Sequence, residues 1–84
     1  MTDIEFDLLD QLYFVQPFES LISELQIPEE ELKSLLIEMV QKGWVKVMDK
    51  QTDEEIVELD TWINNCSAFF YLATKKGLFA HNTI

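Results

Sequence analysis

The sequence predicts a small α+β domain: a three-helix bundle followed by a small antiparallel β-hairpin and a short C-terminal helix. Three observations carry this. Leu32, Leu35, Leu36, Met39 and Val40 recur at helical spacing and stop at Gly43. Trp44-Val45-Lys46-Val47-Met48 then alternates and is rich in β-formers. A second β-prone run, Ser67 to Ala73, precedes Thr74, which can cap a closing helix. With 84 residues, splitting the chain would leave pieces too short to bury a core, so residues 1–84 are read as one domain. Its 48% hydrophobic and 26% charged residues fit a globular chain, and ten aromatics can fill a core despite the length.

Taken in order, Thr2 with Glu5 three residues later forms a capping-box pattern. Ile4, Leu8, Leu9, Leu12 and Tyr13 then recur helically until Pro17, which predicts a first helix over about residues 3 to 15. Pro17 suits the start of a two-turn helix whose stripe is Phe18, Leu21, Ile22 and Leu25, stopped by Ile27-Pro28. The third helix runs from Pro28 to Gly43, with Glu29, Glu30 and Glu31 at its electropositive N-terminal end. Residues 49–66 read as a variable acidic insertion within the hairpin. Thr52 and Glu55 suggest a further capping box, and Ile56, Leu59, Trp62 and Ile63 fit helical spacing, whereas Glu55 to Asp60 also fits a short strand; the helical reading is preferred. The last helix follows Thr74 through Lys75, Lys76, Gly77, Leu78, Phe79 and Ala80.

Charge is the most informative bulk property. Sixteen acidic residues against six lysines, with no arginine, give a formal net charge of -10. Duplex DNA carries about one negative charge per 1.7 Å and is normally bound by neutralising several phosphates or by a bidentate arginine on guanine. The first basic residue is Lys33, and a second acidic block runs from Asp53 to Asp60. Such faces either solvate the molecule or dock a basic partner. The longest apolar run, Ser67 to Ala73, is far short of the roughly 20 residues of a membrane span. The N-terminal residues lack a basic region and cleavage pattern, and the single Cys66 cannot form an internal disulfide. A cytoplasmic location without membrane partners is expected.

Two stretches carry a family resemblance. Leu32-Lys33-Ser34-Leu35-Leu36-Ile37-Glu38-Met39-Val40-Gln41-Lys42-Gly43-Trp44-Val45 resembles a recognition helix running through "KGLV" into a wing strand. Tyr71-Leu72-Ala73-Thr74-Lys75-Lys76-Gly77 resembles a second wing strand ending in "YxLTxxG", with Ala73 in place of the leucine. Both are similar to the winged helix-turn-helix family, particularly MarR- and PadR-like regulators. The resemblance covers most of the chain and implies a winged helix, residues 49–66 being the insertion in its β-wing. It also implies a third helix whose exposed positions, Lys33, Ser34, Ile37, Glu38 and Gln41, face DNA in binding members. Here only Lys33 among them could neutralise a phosphate, and the wing carries six acidic residues against Lys50.

The candidate sites follow from these departures. Ile37, Glu38, Trp62 and Ile63 are candidate partner-binding residues: apolar anchors inside an acidic rim, provided that Trp62 does not fold back on the core. On the alternative reading, Lys33, Ser34, Gln41 and Lys50 are candidate nucleic-acid contacts of a dimeric, sequence-specific regulator. His81 reads as a tail or surface residue and Cys66 as a small core or loop residue. No phosphate loop, metal-ligand spacing or nucleophile motif is seen, so no catalytic, cofactor or metal residue is assigned; a pocket beside Trp44 or Trp62 would be the first sign of an enzyme or ligand sensor. Phe6 and Phe14 lie off the main apolar line of the first helix, which suggests a homodimer through that helix and the last one. The expected function is that of a non-enzymatic, regulatory or transcription-related adaptor acting by protein-protein contact.

Overall fold

The capping box at Thr2 forms as predicted: the Glu5 N–H donates to Thr2 Oγ1 at 3.2 Å, and the Thr2 N–H donates to Glu5 Oε1 at 2.8 Å. It opens α1 (Asp3–Gln11) in the computed structural model, which describes residues 1–83. The helix is shorter than the predicted 3 to 15, because the chain leaves it to pair with a strand. Leu12 caps α1, and its carbonyl accepts from the Ala73 N–H at 3.0 Å. Gln16–Pro17 then form β1, an edge strand, where a proline lacking an N–H is tolerated. Pro17 also N-caps α2 (Phe18–Leu25), which ends at Gln26 in the left-handed region, φ 54°.

The third helix, α3 (Glu29–Gln41), buries Leu32, Leu35, Leu36 and Met39. Its exit is a Schellman motif. Gly43 takes φ 77°, its N–H donates to the Val40 carbonyl, and the Trp44 N–H donates to the Met39 carbonyl. The chain thereby turns directly into β2 (Val45–Asp49), which pairs antiparallel with β4 (Phe69–Ala73) in the register Val45↔Ala73, Val47↔Tyr71. On both strands alternate residues point into the core: Val45 and Val47 on one, Phe69, Tyr71 and Ala73 on the other. Thr74 caps α5 (Lys75–Asn82), accepting from the Gly77 N–H and donating to the Gly43 carbonyl at 2.6 Å.

Residues 49–66 do not form the helical insertion that the spacing predicts. The Thr52–Glu55 capping box is replaced by a turn in which Asp49 Oδ1 accepts from the Gln51 and Thr52 N–H groups and Asp53 takes φ 61°. Glu55–Ile56 then form β3, paired with β2 through Val47↔Ile56 and Met48↔Glu55. A single helical turn follows, α4 (Leu59–Trp62), then a 3-10 turn at Cys66–Ala68 where the predicted strand was to begin. Hydrogen-bonding to an existing strand outweighs local helix preference for the first part, and burial of Trp62 directs the second.

The whole is a small α+β domain with five α-helices among the described residues and a four-stranded antiparallel sheet ordered β1-β4-β2-β3. Its radius of gyration, 11.6 Å, is close to the roughly 12 Å expected for this length. The core joins Leu8, Leu9 and Leu12 of α1 and Phe18 and Leu21 of α2 to the inner residues of α3, β2 and β4. Tyr71 lies at its centre, its ring 5.9 Å from that of Trp62 and 6.3 Å from that of Phe18. Among the described residues no helix is long and apolar enough to cross a membrane.

Candidate functional site

The start of α1 and the α2–α3 connection lie against one flank of α3, leaving an open groove of about 400 Å³. Its apolar floor is Ile4, Ile27 and Leu35, all drawn partly or wholly into the core edge. Its rim is Glu30, Glu31 and Glu38 with Ser34, all exposed. Residues 31, 34, 35 and 38 recur at three- and four-residue steps, so α3 alone aligns them along one side. Among the described residues these three carboxylates form no ion pair. The groove thus offers apolar surface bordered by negative charge, which suits an apolar group carried on a cationic segment.

The partner-binding residues read from the sequence are only partly placed here. Glu38 lines the groove, whereas Ile37 and Ile63 are half-buried against the core. Trp62 is 0% exposed and is no surface anchor, because its indole packs edge-on to Tyr71 and fastens the insertion to the core. Nothing in the sequence marks Ile4, Ile27, Glu30, Glu31 and Leu35, which line the groove, as a site. Ile4 and Leu35 carry a core signature and the glutamates a helix-dipole signature; only the docking of α1 beside α3 makes them one surface.

The candidate nucleic-acid contacts are dispersed. Lys33 is half-buried, Ser34 lies in the acidic groove, and Gln41 stands exposed eight residues on from Lys33, about 12 Å along the helix. Lys50 donates to the Ser67 carbonyl at 2.6 Å and sits 5.4 Å from the centre of the Phe70 ring. Lys42 is paired with Glu5 and lies 4.8 Å from the centre of the Trp44 ring. The lysine and the Thr2 hydrogen bonds hold the Glu5 carboxyl below the ordinary carboxylate value.

His81 is not a free tail residue. Its ring stacks on Phe6 with centroids 4.0 Å apart and meets Tyr13 edge-on at 5.2 Å. Its Nδ1 is 3.0 Å from the Tyr13 hydroxyl, and its Nε2, 3.6 Å from an Asp10 oxygen, has no hydrogen-bond partner among the described residues. Of the two residues expected to serve a dimer, Phe6 is therefore stacked by the chain's own α5, whereas Phe14 stays 77% exposed. Cys66 is buried, and that burial pushes its thiol pKa up, the direction that keeps it protonated and unreactive. Compared with known proteins, the chain matches no protein-family model, no curated protein and no solved structure.

Proposed function

We propose that this chain is a non-enzymatic winged-helix module, a regulatory or transcription-related adaptor that acts by contact with another protein surface through the flank of α3. The element order α1-β1-α2-α3-β2, closed by β4 lying between β1 and β2, supports the winged-helix reading. One observation carries the functional half. The exposed flank of α3 is an apolar groove rimmed by Glu30, Glu31 and Glu38, where a DNA reader needs cations and hydrogen-bond donors.

The alternative, a sequence-specific DNA-binding regulator using α3 and the hairpin as a dimer, requires its lysines on the duplex-facing side. Lys42 and Lys50 are committed to partners in the fold, and carboxylates facing phosphates repel them by several kcal/mol in aggregate. The test is fluorescence anisotropy with labelled random-sequence and promoter-derived duplexes at about 20 mM salt, where non-specific affinity is greatest. No saturable binding is expected. Affinity that appears at low salt and falls steeply as salt is added would replace this reading with the DNA-binding one.

A further inference from the structure

We propose that the groove beside α3 receives the α5 helix of a second copy of this chain, an inference that rests on the reading of that groove as a protein contact. Phe79 is 72% exposed, outside the core that the other inner residues fill. It lies four residues after Lys75 and three after Lys76, so the ring and both ammonium groups share one side of α5. The other side is already occupied within the fold: Gly77 abuts the Trp44 backbone, Leu78 packs on the core and the His81 ring stacks on Phe6. The chain thus presents a helix face on which an exposed aromatic stands beside Lys75, with the Lys76 side chain lying against Gly43 but without a carboxylate partner.

The groove is the converse of that face. Ile4, Ile27 and Leu35 supply an apolar floor, and Glu30, Glu31 and Glu38 a negative rim. Glu31 and Glu38 stand about 10 Å apart along α3, two turns, which lets them straddle an inserted ring and meet lysines on either side of it. A volume of about 400 Å³ admits a phenyl group with lysine stems laid beside it. Among the described residues neither Lys75 and Lys76 nor the three glutamates are ion-paired, so two unspent and opposite charge sets each border uncovered apolar surface. Because the two surfaces differ, the contact is either reciprocal, each copy's α5 in the other's groove, or head-to-tail.

Sedimentation velocity of the full chain from low to high micromolar concentration, at about 0.15 M salt so that net repulsion is screened, tests this. Wild type should associate with rising concentration. Phe79→Asp should weaken association at least about tenfold, as loss of a central aromatic does. Lys75→Glu with Lys76→Glu should do the same, and adding Glu31→Lys and Glu38→Lys to that double variant should restore it. All these positions are exposed, and circular dichroism checks that each variant is folded. A wild type that stays monomeric, association that survives Phe79→Asp, or charge exchange that restores nothing would overturn the proposal. Failure here, with no duplex binding, sinks self-docking alone and leaves the groove to a foreign cationic segment; duplex binding sinks the reading beneath it.

Discussion

At the scale of single residues, Glu5 does three things at once. It closes the cap of α1, it is the one buried charged side chain among the described residues, and it pairs with Lys42, the residue that caps α3, joining two helices 37 positions apart. Glu5→Gln keeps the shape and part of the cap but removes the ion pair. We expect a loss of about 1–2 kcal/mol at neutral pH by urea denaturation. The pH dependence has a definite sign. The folded carboxyl titrates below its ordinary value of 4.5, so in acid the unfolded chain binds the proton more readily. The stabilisation is full above that value and is lost as pH falls through the depressed one; the glutamine variant should show a flatter acid limb, and an identical limb would mean the pair contributes nothing. The Thr2–Glu5 pattern was legible in sequence because capping is local. Lys42 as a partner was not, nor was the clasp of His81 on Phe6 and Tyr13, since both are products of helix docking.

At the scale of elements, what is local is again what could be read. The stripes of α2 and α3, the glycine exit of α3 and the Thr74 cap all follow from spacing and from residues with special backbone freedom. The end of α1, the two-residue β1 and the strand at Glu55–Ile56 depend on a neighbouring strand, and no periodicity announces a two-residue pairing. Gly77 shows how tightly the elements meet. A Cβ built there would lie 2.1 Å from the Trp44 carbonyl oxygen, a backbone atom that cannot swing aside, so α5 can approach the α3–β2 junction only with glycine in place. Gly77→Ala, a change that favours an isolated helix, should therefore cost about 3 kcal/mol or more, seen as a fall in thermal midpoint of well over about 10 °C. A neutral or stabilising result would show that α5 docks otherwise. The insertion hangs on Trp62 in the same sense. Trp62→Ala should cost about 3–5 kcal/mol and, in hydrogen exchange, unprotect β3 and α4 before β2 and β4.

At the scale of the whole molecule, the net charge of -10 is a general force on the fold as well as a clue to partners. Sixteen carboxylates on so small a body repel one another in the folded state more than in the expanded chain, and among the described residues only Glu5 has a lysine in ion-pair contact. Raising salt from about 10 mM to 0.3 M shortens the screening length from about 30 Å to well under 10 Å, which weakens that diffuse repulsion while leaving the part-buried Glu5–Lys42 pair largely intact. The thermal midpoint should accordingly rise by a few degrees, equivalent to about 1 kcal/mol for a domain of this size. Measured at a concentration where the protein is monomeric, the rise should shrink when Glu54, Glu55 and Glu58 are changed to glutamine, since those exposed carboxylates contribute to the repulsion without a partner. A midpoint that falls with salt would instead mean that attractive surface pairs dominate, and the unpaired carboxylates around α3 would lose their standing as charge held available for a cationic surface.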